Sequence, residues 1–169
     1  LDILVKSSTA EIVENHPCVD RIWTLDPFWM RTAKPTRLSM MWDLVHDLRQ
    51  QRYDLALELR GNPFNIVLVA LSGSRWRVGF GAQGLGFLWT SGVPYDDSAR
   101  HEIERNLDLL RALELPVLFN KPELFLSVTA RLEAKDFLLK HNLLRQSSIV
   151  CVHPGAPWLP KRWPQERFA

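Results

Sequence analysis

The final stretch of the sequence, IVCVHPGAPWLPKRWPQERFA at residues 149–169, contains residue types that could bind a phosphate. A short apolar run is followed by a loop with Gly155 and then by the basic pair Lys161 and Arg162. In an open α/β sheet, ligands bind beyond the carboxyl ends of the strands, where free backbone N–H groups attract anions. Gly155 would let the backbone approach a phosphate closely, and Lys161 would add a compact charge. The pattern predicts a phosphate-binding loop, with a proline-rich interdomain turn as the alternative.

Other basic residues could also contact an anion. Arg31, Lys34 and Arg37 fall in a loop that contains two prolines, where they could meet an anionic lipid headgroup or a phosphate, although a solvated loop is the favoured interpretation. Arg60 and Gly61 directly follow a predicted strand and therefore lie at the ligand-binding edge of the sheet. A tight turn accounts for the glycine equally well.

The seven tryptophans divide into two groups. Trp23, Trp42 and Trp76 lie in apolar strand or helix patterns and are predicted to belong to the core. The others lie in or beside loops and could be exposed: Trp29, Trp89, Trp158 and Trp163. Of these, Trp29 and Trp89 could touch a ligand or a membrane surface.

Composition excludes several classes of protein. The chain is 46% hydrophobic and 24% charged, as in ordinary globular proteins. Its net charge of +2 is far below that of a typical nucleic-acid binder, so no nucleic-acid partner is expected. Cys18 and Cys151 match no metal or disulfide spacing, which favours a reduced, cytoplasmic compartment and no metal or other cofactor. The longest apolar run, residues 66–71, is much shorter than the ~20 residues of a membrane span.

Short apolar runs alternate with longer amphipathic ones, which predicts an α/β fold: a Rossmann-like parallel sheet with flanking helices. The predicted strands cover residues 3–5, 19–25, 54–59, 75–80, 124–128 and 149–152. The predicted helices cover residues 8–15, 39–51, 65–71, 102–114 and 129–142, with Ser8 and Thr9 capping the first and Thr129 the last. Residues 79–94 are predicted to form a loop or a small irregular excursion.

The ends of the sequence and one polar stretch bear on domain organisation. The chain starts at Leu1 with neither Met nor a signal peptide, and it stops soon after an apparent helix start at Trp163 and Pro164. We therefore expect a piece truncated at both ends. The polar residues 144–148 are the best linker, so residues 1–145 are assigned to one domain and residues 146–169 to the start of a second.

Several segments together resemble one enzyme family. HPGA at residues 153–156, followed by KRWP at 161–164, is similar to the signature of the ADP-heptose lipopolysaccharide heptosyltransferases, which are glycosyltransferase family 9 enzymes of the GT-B fold. Further similar segments follow in family order: STAEIVENHP at 8–17, DLALELRGN at 54–62, RVGF at 77–80 and HEIERNLDLLRALEL at 101–115. The resemblance implies that residues 1–145 are the acceptor-side domain without its first βα unit.

The resemblance also implies a reaction and residues that serve it. A heptose would pass from ADP-heptose, with inversion, to a hydroxyl of the lipopolysaccharide inner core, and the family's catalytic aspartate would lie upstream of Leu1. Lys161 matches the lysine that contacts the donor phosphates, and Gly155 and Ala156 occupy the loop that cradles them. His101 and Arg105 match positions that face the acceptor, and their spacing of four residues would place them on one helical face. An exposed pairing of Arg105 with Glu102 or Asp108 is the alternative.

The implied partners are ADP-heptose and the lipopolysaccharide core, in the cytoplasm and with possible peripheral contact at the inner face of the inner membrane. The fragment alone is expected to be inactive. Two other functions stay open from the sequence: a non-catalytic Rossmann-like module that binds an anionic saccharide or nucleotide, and a GT-B transferase that uses another sugar nucleotide. The PWLP segment at residues 157–160 carries no hydroxyl, so phosphate contacts in that part of the loop would have to come from backbone N–H groups.

Overall fold

The computed structural model describes residues 1–26, 38–81, 84–96, 100–118, 121–144, 148–156 and 159–167. Strands and helices alternate along most of this length. The strands are β1 (Asp2–Val5), β2 (Arg21–Thr24), β3 (Leu55–Glu58), β4 (Trp76–Phe80) and β5 (Ser91–Val93). The α-helices are α1 (Ser7–Val13), α2 (Leu38–Gln50), α3 (Pro63–Leu71), α4 (Glu102–Ala112) and α5 (Val128–Lys140).

Every strand pair among the described residues is parallel. β1 pairs with β2, and β3, β4 and β5 pair in that order. Parallel neighbours require crossover connections, which α1 and α3 supply for the first pair of each sheet. The predicted Rossmann-like α/β architecture is therefore confirmed.

Two apolar clusters hold these layers together. The first contains five buried side chains, with Trp23 and Tyr53 packed against it: Leu25, Leu44, Val45, Leu48 and Leu68. The second lies between the three-stranded sheet and α4: Val78, Phe80, Val93 and Leu109. Fully burying one such side chain contributes roughly 1.5–3 kcal/mol, so these clusters account for why α2, α3 and α4 pack where they do.

A polar contact connects the two-stranded sheet to the start of β3. The Tyr53 hydroxyl donates to the Asp2 carboxylate and accepts a hydrogen bond of 3.0 Å from the Trp23 indole N–H. Burial raises the pKa of the Tyr53 hydroxyl above its ordinary value of 10.0, and the hydrogen bond to Asp2 adds to that rise. This network lies at the amino end of the strands.

Part of the segment predicted as a loop or a small irregular excursion forms a strand. β5 lies within residues 79–94 and pairs with β4 from Val78 opposite Ser91 to Phe80 opposite Val93. A three-residue run containing Gly92 has no strand pattern of its own. Its backbone hydrogen bonds are made with β4, and the local sequence does not indicate this pairing.

Three tryptophans lie elsewhere than the sequence suggests. Trp89 is buried rather than exposed, and its indole N–H donates to the Phe80 carbonyl at 3.1 Å. Trp42 and Trp76, predicted to be core residues, are 58% and 50% exposed. Trp42 lies off the face of α2 that carries the buried side chains, and Arg75 covers one face of the Trp76 ring.

Two predicted helix starts are wrong. α1 begins at Ser7, and Thr9 does not cap it but donates its hydroxyl to the Lys6 carbonyl at 3.0 Å. α5 is capped by Ser127, whose hydroxyl accepts from the Ala130 N–H at 3.0 Å, two residues earlier than expected. Because this cap starts the helix at Val128, the predicted edge strand at residues 124–128 does not form.

The chain divides into two compact units, Leu1–Phe125 and Leu126–Ala169. In the second unit, the predicted strand at residues 149–152 is not formed, and Val150 and Val152 are 84% and 66% exposed. A strand needs a hydrogen-bonding neighbour, and no strand in the described part of this unit provides one. Leu132 and Phe137 of α5 are likewise exposed.

Candidate functional site

The carboxyl ends of β3, β4 and β5 define one edge of the three-stranded sheet. The strands end at Glu58, Phe80 and Val93, and because they run parallel these ends lie on the same side. Ligands of open α/β sheets bind beyond this edge. The residues that follow each strand are therefore the candidates for binding.

A tight turn with a buried carboxylate follows β3. Glu58 is only 4% exposed, and its Oε2 accepts from the backbone N–H groups of Arg60 at 3.2 Å and Gly61 at 2.6 Å. Its Oε1 accepts from the Asn65 side-chain amide at 3.0 Å. Gly61 has a φ of 63°, a left-handed conformation that favours glycine. Sequence reasoning missed Glu58, although an acidic residue two positions before Arg-Gly at a strand end was a signal for it.

Arg105 of α4 is fixed near the end of β5. Its Nε donates to the Asp96 carbonyl at 3.1 Å, and its Nη1 donates to the Tyr95 hydroxyl at 3.2 Å and to Glu102 at 2.5 Å. The guanidinium also lies 5.0 Å from the centre of the Tyr95 ring. Tyr95 in turn packs edge-on against Phe80 of the second cluster. Arg105 is thus anchored to the carboxyl edge, and the Glu102 contact predicted as an alternative is present.

His101 occupies the N-cap of α4, not a helical position. Its backbone is extended and its Nδ1 accepts from the Ile103 N–H at 3.2 Å. His101 and Arg105 therefore do not share a helical face as predicted, and the two residues are joined through the backbone, where the Arg105 N–H donates to the His101 carbonyl at 3.1 Å. The second ring nitrogen of the exposed His101 is left to meet solvent or a ligand.

An exposed network of charges lies on the same helix. Asp108 accepts from Arg100 at 2.8 Å and from Arg111 at 2.6 Å. These hydrogen bonds, first from Arg100 and then from Arg111, lower the pKa of the Asp108 carboxyl below its usual range. Asp108 therefore pairs with arginines other than Arg105.

The proposed phosphate loop lies in the second unit. Gly155 is exposed and a Cβ added there would meet nothing within 4 Å, so its backbone is open to a ligand. The Arg162 Nε donates to the Ala156 carbonyl at 2.6 Å, which closes the loop. Lys161 is exposed at the end of a 3-10 turn, Leu159–Lys161. The turn Gln165–Arg167 follows Pro164, in line with a helix start there.

Several candidate contact residues lie outside the described residues: Arg31, Lys34, Arg37 and Trp29. Trp158, predicted to be exposed, lies outside them as well. Within the described part of the chain, no group of histidine, cysteine and acidic side chains could hold a metal ion. No helix in that part is long and apolar enough to cross a membrane.

The chain is similar to known proteins in both sequence and fold. The sequence model of glycosyltransferase family 9 (heptosyltransferase) matches residues 41–169. A search of curated proteins finds no significant match.

Two solved structures resemble the chain closely in fold. One is a family 9 glycosyl transferase from Veillonella parvula, with a TM-score of 0.81, 18% identity, and coverage of 99% of this chain and 47% of that one. The other is ADP-heptose LPS heptosyltransferase II of E. coli, with a TM-score of 0.66, 22% identity, and coverage of 96% and 48%. The chain thus spans about half the length of each.

Proposed function

Because the chain belongs to glycosyltransferase family 9, the heptosyltransferases, we propose that the protein transfers heptose from ADP-heptose to the lipopolysaccharide inner core. The family match over residues 41–169 carries this proposal, because it includes both the α4 segment and the Lys161 loop. The acceptor hydroxyl attacks the anomeric carbon with inversion, ADP leaves, and a base takes the hydroxyl proton. We assign that base to no residue of this chain.

The donor site is proposed at Gly155, Ala156 and Lys161. The Lys161 ammonium offsets the charge that grows on the diphosphate as the glycosidic bond breaks, and the open backbone at Gly155 lets a phosphate approach. Arg162 supports this role indirectly, since its side chain donates to the Ala156 carbonyl and so lies beside the proposed site. The prolines of the loop donate no backbone hydrogen bond, so the charge of Lys161 carries more of the binding.

The acceptor site is proposed at His101 and Arg105. The contacts of Arg105 with Tyr95 and Asp96 support this role, because a guanidinium fixed in place loses little entropy when it binds an anion. Acceptors with phosphate or carboxylate groups fit such a cation. We place the reaction in the cytoplasm, at the inner face of the inner membrane where a lipid-linked acceptor is available.

We also propose that residues 1–145 form the acceptor-side domain and residues 146–169 the start of the nucleotide-sugar domain. The sheet topology supports the part of this proposal in which residues 1–145 lack a first βα unit. Among the described strands, β1 pairs only with β2, and the outer edge of β3 opposite β4 has no partner. One further parallel strand between β1 and β3 would join both sheets into one, as a first βα unit would do.

The test is Lys161→Ala in the full-length protein, with Lys135→Ala on the exposed surface of α5 as the matched control. Loss of a charge-assisted hydrogen bond should lower kcat/KM for ADP-heptose roughly 10- to 100-fold, while the control stays at the parent value. Kinetics of Lys161→Ala equal to the parent would remove the donor role. Preferred transfer from another sugar nucleotide would show that ADP-heptose is not the donor. Binding of the nucleotide sugar or the saccharide without any transfer would indicate a non-catalytic module.

A further inference from the structure

The turn after β3 has the backbone geometry of an anion-binding site, and the carboxylate of Glu58 occupies that site. Two successive backbone N–H groups, those of Arg60 and Gly61, converge on one oxygen of Glu58. Such paired amides commonly hold phosphates in other proteins. Here they are already satisfied, so the backbone of this turn is not itself a ligand site.

The same carboxylate fixes the turn on its other side. Glu58 accepts from the side chain of Asn65 in α3, and Asn62 caps that helix through a hydrogen bond of 2.9 Å from the Phe64 N–H. Pro63 occupies the first turn of α3. Strand, turn and helix are therefore held together at a buried point, and the backbone of Arg60 has little freedom to move.

The side chain of Arg60 faces solvent at this turn. It is exposed, and within the described residues its guanidinium has no hydrogen-bond or ion-pair partner. It lies beyond the carboxyl end of β3, on the same edge of the sheet as the Arg105 contacts with Tyr95 and Asp96. A cation held on a rigid turn without a protein partner fits an anionic ligand group better than a structural role.

We propose that Arg60 is a further cation that contacts an anionic group of the acceptor, and that Glu58 is the positioning residue that fixes it. The inference rests on the proposed function, which places an anionic acceptor at this edge. Arg60 supplies a planar donor fork for a phosphate or carboxylate. Glu58 sets the place of that fork through the Arg60 and Gly61 amides and touches no ligand.

The first experiment separates Arg60 from general surface charge. In the full-length protein, Arg60→Ala should raise the acceptor KM roughly tenfold and leave the donor KM at the parent value. The matched control is Arg52→Ala, which removes an exposed arginine near the amino end of β3 and should change neither constant. An unchanged acceptor KM in Arg60→Ala, or equal rises in both constants, overturns the proposal.

The second experiment tests the positioning role of Glu58 by rescue. In Glu58→Gln, the side-chain oxygen can still accept from the turn amides, and its NH₂ can donate to Asn65 once that amide rotates. This variant should keep the parent acceptor KM, whereas Glu58→Ala should raise it as Arg60→Ala does. Glu58→Ala combined with Arg60→Ala should be no worse than Arg60→Ala alone. Additive effects on the acceptor KM, or failure of Glu58→Gln to restore it in a folded protein, would show that Glu58 does not act through Arg60.

A binding measurement keeps this inference distinct from the proposed transfer reaction. Calorimetry without donor would use a lipid-free core oligosaccharide that carries phosphate groups, and the same oligosaccharide after enzymatic removal of phosphate. Arg60→Ala should weaken binding of the first roughly tenfold and leave the second unchanged. This result in a protein that transfers no heptose would defeat the proposed function and leave the Arg60 contact standing. Equal binding of the phosphorylated oligosaccharide by parent and Arg60→Ala would defeat the Arg60 contact even where transfer is observed.

Discussion

At the scale of single residues, Arg105 combines a structural and a proposed binding role. Its side chain is 12% exposed and holds Tyr95, the Asp96 carbonyl and Glu102 together. Lysine could not make the contacts of Arg105, because its ammonium lacks the planar set of N–H groups with which a guanidinium donates to several acceptors at once. Its two roles can be separated by measuring stability and kinetics on the same variant.

We expect Arg105→Ala to affect both properties. Loss of its hydrogen bonds and of the contact with the Tyr95 ring should lower the free energy of unfolding by about 1–3 kcal/mol. The acceptor KM should rise roughly tenfold, with the donor KM unchanged. The two KM values are measured on the full-length protein by varying the acceptor in one series and ADP-heptose in the other. Arg111→Ala, on the exposed side of the same helix, is the control, and a stability loss without a change in acceptor KM would leave Arg105 a purely structural residue.

Tyr53 gives the stability of the chain a dependence on alkaline pH. Its pKa is raised in the folded state, chiefly by burial, so folding favours the protonated hydroxyl. The stabilisation is complete below the ordinary value of 10.0 and declines as pH rises through the folded value. Tyr53→Phe should lose about 0.5–1.5 kcal/mol at neutral pH and show a shallower decline above pH 10. Urea unfolding of parent and variant at neutral and alkaline pH measures both effects, and parallel pH profiles would exclude Tyr53 as the cause.

At the scale of elements, β4 and β5 depend on a close contact between a glycine and an aromatic ring. A Cβ on Gly79 would lie 2.8 Å from Cη2 and 2.9 Å from Cε2 of Trp89. Trp89 cannot withdraw freely, because its indole N–H is bonded to the Phe80 carbonyl. The missing side chain at position 79 is what admits the ring.

Gly79→Ala should therefore displace Trp89 and destabilise the sheet. Overpacking of this kind costs about 1–3 kcal/mol, and the Trp89 fluorescence emission should shift to longer wavelength as the ring becomes exposed. Gly92→Ala is a suitable comparison, since a Cβ there would meet the Trp89 ring at an ordinary 3.6 Å. Equal stability of parent and Gly79→Ala would mean that the ring has room to move.

Helices could be predicted where their apolar pattern and end signals are local. The apolar stripe of α2 and the Pro-terminated α4 gave helices within two residues of those observed, at Leu38–Gln50 and Glu102–Ala112. β5 could not be predicted, because it is a strand only by pairing with β4. Glu58 and Tyr95 were missed in the site for a similar reason. Each of these side chains matters because of the groups that it contacts in the folded chain. The spacing of residues along the sequence does not show which groups those are.

At the scale of the whole molecule, the chain corresponds to about half of each solved relative, with 47% and 48% of their lengths covered. Sugar transfer needs donor, acceptor and base held in one geometry. The residues proposed here supply the donor phosphate contact and the acceptor contact, but not the base. Function is therefore proposed for the full-length protein.

We expect the 169-residue chain by itself to transfer no heptose. The reason is that positioning and proton abstraction each contribute large factors to the rate, and our proposal assigns the base to no residue of this chain. The assay compares the purified chain with the full-length protein at equal concentration, with ADP-heptose and acceptor in excess. Transfer by the chain alone would show that the base lies within residues 1–169 and would overturn the assignment of domains.

The edges of β1 and β3 that pair with no other described strand also bear on how the isolated chain behaves at high concentration. Backbone N–H and C=O groups along such an edge are a template on which a strand from another molecule can add. Ile3, Leu4 and Val5 form an uninterrupted apolar run in β1, and the charge of the strand is confined to Asp2 at its start. These edges therefore favour association between copies of the isolated chain. We expect the purified chain to aggregate as its concentration rises. Leu4→Lys should slow this aggregation, because adding a strand to the edge would then bury the lysine charge.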